Sequence, residues 1–213
     1  MGIFNKYLKE IKERKELGLN PKPIDDGDLL KEIISNILNS KSKYHSQSLD
    51  FFIYNVLPGT TKASEVKSLF LKKIILGNHK IKTIPVDFAF ELLSHMKGGP
   101  SIEALIDLAF YQKSNHSNQA LNVLKTQVFL YDNDMNKIKK AYKKGNKLAK
   151  KLLVSYSKAE FFTKLPKIPE KIDIVTYVAG IGDISTDLLS PGADAHSRAD
   201  RELHGLSIFD HNK

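Results

Sequence analysis

The sequence predicts a mainly α protein. Three observations predict it. Apolar residues recur at helical spacing as far as about residue 165. Gly, Pro, Asn and Asp punctuate that pattern at short intervals, so each periodic stretch is one helix and its neighbours are joined by short turns. After Pro169 the texture changes to a β-branched run followed by a long polar loop.

The elements follow in order. Tyr7, Leu8 and Ile11 open the first helix, which Gly18 can stop. Residues 19–24, LNPKPI, read as an extended linker, because proline disfavours helix in the residue before it. Asp25, Asp26 or Asp28 caps a second helix with the stripe Leu29, Leu30, Ile33, Ile34, Ile37 and Leu38. A third runs from Ser46 or Ser48 through Leu49, Phe52, Ile53 and Val56, closed by Pro58-Gly59. Thr60 or Thr61 caps a fourth carrying Val66, Leu69, Phe70, Ile74 and Ile75. The fifth holds Val86, Phe88, Ala89, Leu92, Leu93 and Met96 and ends at Gly98-Gly99. Pro100 then suits the first position of a sixth, with Glu103 in its first turn. A seventh is expected from about Ser117 to Leu130, an eighth from Met135 to Lys144, and a ninth from about Asn146 to Leu165. Consecutive helices on short turns pack antiparallel. No repeat of fixed period is visible, so irregular, HEAT-like stacking is expected over residues 1–165 rather than a regular array.

Residues 171–179, KIDIVTYVA, read as a strand, and a polar loop of turn formers follows through Asp200. One strand and about forty residues are too few for an independent core. This second part, from about residue 170 to 213, must therefore dock on the helices, pair with another chain, or belong to a larger domain.

Composition narrows the chemistry. The 213 residues include no cysteine, which removes disulfides, thiolate nucleophiles, Cys-ligated zinc and any self-contained iron–sulfur site. The histidines lack metal-ligand spacing, and no nucleophile motif is present. No apolar run is long enough for a bilayer, and residues 1–7 lack a signal-peptide core. The expectation is a soluble, cytoplasmic protein without membrane partners. The net charge is +9, but residues 171–213 carry four basic residues against seven acidic, leaving +12 for residues 1–170.

Two groups of residues stand out as candidate sites. In the polar loop, the Arg198 guanidinium can grip a carboxylate in a bidentate manner, and Ser197 adds a hydroxyl. The alternative is a surface Arg198 paired with Asp194 or Asp200 inside an ordinary turn. In the helical part, Lys139, Lys140, Lys143, Lys144 and Lys147 belong to a run of eight lysines between positions 137 and 151 that contains no acid. Such a patch can attract phosphate backbones, with Tyr142 and Tyr156 placed to stack on bases. The alternative is that these lysines are the solvated side of a helix whose apolar face is Ile138, Ala141, Leu148, Leu152 and Leu153.

Several blocks carry a family resemblance: YLKEIKERKELGLNPKPID, NVLPGTTKASEVKSLFL, ELLSHMKGGPSIEALIDLA, LKTQVFLYD, GNKLAKKLLVSYSKAEFFTKLP and IDIVTYVAGIGDISTDLLSPGADAHSRADRELHG. Together they resemble the N-terminal part of aconitase B, the bacterial bifunctional aconitate hydratase and 2-methylisocitrate dehydratase. DLLSPGADAHSRAD is the most specific block, and the resemblance extends to about Gly205. It implies a HEAT-like domain over residues 1–165 and the start of a β/α swivel domain from about 170. It implies that Arg198, in the SRxD position, binds a tricarboxylic acid substrate, with Ser197 beside it. It further implies that the [4Fe–4S] cluster, its cysteines and the general base lie in segments beyond these residues. The chain by itself is then expected to be inactive and to serve assembly, including homodimerisation through the helices, and one wall of a substrate pocket. The resemblance also implies that messenger RNA can be a partner. The alternative, from the basic helix, is a stand-alone helical interaction or RNA-binding module.

Overall fold

The computed structural model describes residues 2–17, 21–111, 115–128, 130–164 and 169–173, together with positions 190, 192 and 204. Those residues are mainly helical. The elements are α1 (Ile3–Glu16), α2 (Gly27–Leu38), α3 (His45–Tyr54), α4 (Lys62–Ile75), α5 (Val86–His95), α6 (Pro100–Ile106) running into a π-turn (Asp107–Tyr111), α7 (Ser117–Lys125), α8 (Asp132–Lys143), α9 (Lys147–Ser157) and the single turn α10 (Glu160–Thr163). Most of the expected strand, 174–179, the loop ahead of Ser190 and the stop at Gly18 lie outside the described residues.

Side-chain caps explain the starts of α2, α4 and α9. Asp26 accepts from the amides of Asp28 and Leu29 at the head of α2, Thr61 from Ser64 at α4, and Asn146 from Leu148 and Ala149 at α9. Pro100 occupies the first turn of α6. α1 has no cap of its own; the Glu32 carboxylate of α2 accepts from Phe4 N at 3.0 Å instead. Phe4 and Tyr7 then close that end of the core, edge-on to Tyr44 and Phe51 at 5.2 and 5.4 Å.

The helices pair as hairpins α2/α3, α4/α5, α6/α7 and α8/α9, with α1 laid on α2. Helices α2, α4, α6 and α8 pack side by side in one layer, and α5, α7 and α9 in the other. Within the first layer the helices run parallel, as contacts near their N-terminal ends and, for α4 and α6, at both ends indicate. At their N-terminal ends, a Cβ on Gly27 would stand 3.2 Å from Lys62 Cβ, and one on Gly99 2.8 Å from Gly59 O. Farther along, Lys72 Nζ lies 2.7 Å from Asp107 Oδ2, and Lys137 Nζ 2.8 Å from Glu103 Oε1. Leu30, Ile33, Phe52, Leu71, Leu93, Leu105 and Leu152 fill the continuous core between the layers.

Five expectations need correction. Val56 does not end α3; it bridges Ile24 in parallel, with Ile24 N donating to Asn55 O and Leu57 N to Ile24 O. α7 stops at Lys125, not Leu130, where the Thr126 hydroxyl donates to Val123 O and competes for a helix carbonyl. α9 stops at Ser157, not Leu165. Ala159 takes the left-handed φ of +48° and turns the chain into α10. Leu69 and Leu38 remain about half exposed, at 50% and 47%. In α4 a lysine, Lys67, is inside instead, because the buried face follows Ala63, Lys67, Phe70 and Ile74.

Candidate functional site

Arg198 and Ser197 lie outside the described residues. The lysine candidates are all described, and they sit on one hairpin.

α8 buries Asp134, Ile138 and Ala141, an i, i+4, i+7 stripe, against the layer. α9 buries Ala149, Leu152 and Ser155. That fixes the rotation of both helices. Lys139, Lys140, Lys143, Lys144 and Lys147 are consequently all exposed, and so are Lys150 and Lys151. The two readings of this run are therefore compatible: the lysines are the solvated side of an amphipathic hairpin, and they also form one patch. Gly145, at φ +83°, makes the tight turn, and the Asn146 amide donates to Phe110 O at 3.3 Å, which ties the tip to the π-turn. The π-turn supplies that acceptor: widening the helix frees the carbonyls of Leu108 and Phe110, which take bonds from Ser117 and Asn146.

The patch has a boundary. Lys137 is half-buried and committed to Glu103, whose carboxylate raises the ammonium above its usual value. No ion pair forms at Lys139, Lys140, Lys143, Lys144 or Lys147 among the described residues. Tyr142 is 46% exposed and available. Tyr156 is not: its hydroxyl donates to Leu124 O at 2.8 Å, burial pushes its ionisation up, and it serves as a structural strut rather than a stacking platform.

Sequence reasoning missed Lys67. Its Nζ donates to Ile53 O at 3.1 Å, satisfying a carbonyl in the last turn of α3, and lies 5.3 Å from the Phe52 ring centre. Burial pushes its ammonium down to about 7. The signal was its place in the apolar register of α4. Asp134 was also missed. Burial raises its carboxyl, while the bond from Tyr131 N opposes that shift.

Two concavities lie on the described surface. One, of about 730 Å³, lies at the N-termini of α2 and α4, where Lys31 pairs with Asp28 and Lys62 with Glu65. The other, of about 240 Å³, is largely apolar and lies between the α7–α8 connection and α9–α10, with Val128, Phe161 and Phe162 exposed on its rim. Among the described residues no group of three or more His, Cys, Asp or Glu could hold a metal ion, and no helix is long and apolar enough to cross a membrane.

Comparison with known proteins points one way. The family described as the aconitate B N-terminal domain matches residues 6–162, and the aconitate hydratase 2 N-terminus matches residues 174–213. Aconitate hydratase B of Escherichia coli is 33% identical over 209 residues, 97% of this chain and 23% of the relative. The Pseudomonas aeruginosa protein of the same name is 32% identical over 207 residues, and that of Synechocystis 26% over 210. The chain thus spans about a quarter of the length of the curated relatives it matches.

Proposed function

We infer, from the premise that this chain belongs to the aconitase B family, that it supplies the helical assembly domain and a substrate-gripping loop of an aconitate hydratase. The reaction is the interconversion of citrate and isocitrate through cis-aconitate. The two matched stretches, 6–162 and 174–213, support a division into a helical domain and the start of a swivel domain near residue 170. The stacked hairpins are consistent with HEAT-like architecture.

The loop carries the chemistry of binding. Arg198 offers a planar, permanently charged fork that matches a carboxylate, and Ser197 offers a hydroxyl to a second oxygen. Such a grip orients a tricarboxylic acid without breaking a bond. A [4Fe–4S] cluster requires thiolates, and no cysteine is present. The residues of this chain do not fit the cluster, and their contribution is binding and assembly. The apolar groove beside α10, with Phe161 and Phe162 exposed, supports an assembly role.

The observation that carries this reading is the family match across nearly the whole chain. The 213-residue protein, treated anaerobically with iron and sulfide, is expected to show no hydration of cis-aconitate; measurable turnover overturns the division of labour. Citrate is expected to shift the side-chain NMR signal of Arg198, and Arg198→Gln to abolish the citrate response. No shift at saturating citrate removes the loop from substrate binding.

A second reading is favoured by the exposed Lys139, Lys140, Lys143, Lys144 and Lys147: the hairpin binds RNA. Affinity should fall steeply with salt and with Lys-to-Glu changes at positions 139, 143 and 147. Affinity indifferent to those changes eliminates the hairpin as an RNA site.

A further inference from the structure

The single turn α10 adds nothing to the core. Its four residues, Glu160–Thr163, bury no side chain. The entry into it holds Ala159 at φ +48°, the left-handed region that a residue with a Cβ resists. The Lys164–Glu160 ion pair and the bond from the Thr163 hydroxyl to Ala159 O then fasten the turn. What this strained turn achieves is the placing of two rings. Phe161 and Phe162 stand edge-on at 5.1 Å, both in solvent, and Phe162 is 65% exposed. They line one groove together with Leu130, Met135, Tyr156 and the exposed Val128.

The groove selects its occupant by size and polarity. Its volume of about 240 Å³ is below the ~300–1,000 Å³ of a small-molecule site and suits the side chains of a peptide segment. Its rim is apolar and uncompensated, while the buried Gln127 and Ser155 add polar atoms to the wall. The larger concavity, where Leu69 is exposed, is ringed instead by Asp25, Asp26, Asp28, Lys31, Lys62 and Glu65, which an apolar segment would have to desolvate.

The same chain carries a matching segment. Residues 174–179, IVTYVA, hold no charge, and Tyr177 has the ring and hydroxyl that suit an apolar rim over a polar wall. Ile172, just ahead of it, is 63% exposed and without cover. The forty residues from 174 to 213 are too few for a core of their own. Ten residues, 164–173, separate α10 from the segment, a tether of at most ~35 Å that begins at the groove itself. We propose that the groove beside α10 is the seat of residues 174–179 of the same chain, with Val128, Phe161 and Phe162 as its apolar anchors. The seat couples the helical part to the loop that carries Ser197 and Arg198; it deepens the assembly role proposed above and rests on the division near residue 170.

Hydrogen exchange of the full chain tests this, with circular dichroism confirming the fold of each variant. The amides of 174–179 are expected to exchange about tenfold or more slowly than in a free peptide of that sequence. Val128→Asp and Phe162→Asp, both at exposed positions, should each remove that protection, and Leu69→Asp on α4 should keep it. Exchange at the free-peptide rate in the unmodified chain overturns the proposal, and so does protection that survives both groove variants. Protection lost on dilution assigns the groove to a second copy and overturns it too. Because the chain has no cysteine, a disulfide reads the seat without adding charge. Phe162→Cys with Thr176→Cys is expected to cross-link within one chain, which needs Cα atoms within about 7 Å, and Leu69→Cys with Thr176→Cys is not. Equal cross-linking of the two pairs overturns the seat. None of these readouts involves citrate, so a failed seat with an intact citrate response at Arg198 overturns this proposal alone.

Discussion

The edge that carries the N-termini of α2, α4, α6 and α8 differs from the edge that carries the intra-hairpin turns, although both belong to the same hairpins. On the first, Asp28, Glu65, Glu103, Asp132 and Asp134 stand in first turns, where the helix dipole favours negative charge. Lysines there are matched to them: Lys31 with Asp28, Lys62 with Glu65, Lys137 with Glu103. On the second, exposed lysines accumulate without ion-pair partners among the described residues. Some suit local physics, as Lys140 and Lys143 do in the last turn of α8. Lys147 does not, since it opens α9, whose first turn holds no acid. The first edge is built for cohesion. The second keeps a charge distribution that stability alone would not select.

The largest effect expected from this contrast concerns two glycines. Gly99 has φ +54° and ψ −130°, and an added Cβ would meet Gly59 O at 2.8 Å, where α4 and α6 abut on the cohesive edge. Gly99→Ala should cost about 3 kcal/mol or more in urea unfolding. Gly145, on the turn edge, has φ +83° but open space around it, so Gly145→Ala should cost only about 1 kcal/mol. Equal costs would mean that the two edges are equally tight.

Lys67 sharpens the contrast from inside. It is buried, and its pKa falls from 10.5 to about 7. Between those values the unfolded chain holds a proton that the folded chain lacks, so stability should rise with pH, by about 1.4 kcal/mol per unit at the steepest. Below about 7 both states hold the proton and this dependence is absent. Lys67→Met should flatten the slope between the two values and stabilise most at neutral pH and below, as read from urea midpoints across pH. Exposed Lys144→Met should leave the profile unchanged; a matching flattening there would assign the effect to general charge.

The smallest effect is on charge placement. Lys147→Glu puts an acid at the head of α9 and should raise stability by roughly 0.5 kcal/mol, while Lys62→Glu at the head of α4 should bring roughly no gain, because loss of the Glu65 pair and repulsion by that carboxylate offset the same dipole term. Equal rises in the thermal midpoint of both variants would erase the distinction between the edges.

Much of the helical part was legible from residues because its determinants are local. Asp26, Thr61 and Asn146 cap where short polar side chains precede an apolar stripe, and Pro100 opens α6 at the position where its missing amide costs nothing. The five lysines of the α8–α9 hairpin were legible as a charge run, and the core faces of α8 and α9 explain why they remain in solvent. What sequence periodicity missed came from neighbours. The π-turn at Asp107–Tyr111 lies where Asn146 and Ser117 claim carbonyls, and Tyr156 turns inward to Leu124. Lys67 rather than Leu69 is inside because α2, α5 and α6 all press on α4.

The sequence by itself determined the helical class, the caps of α2, α4 and α9, the family and the absence of thiolate ligands, since each depends on residue type and short-range spacing; it did not place the start of α3, which begins at His45 rather than at a Ser46 or Ser48 cap. Only the tertiary structure decided which lysines stand together. Turns separated by some thirty residues share an edge because parallel packing of α2, α4, α6 and α8 brings their ends into line, and that register is a property of side chains meeting across helices.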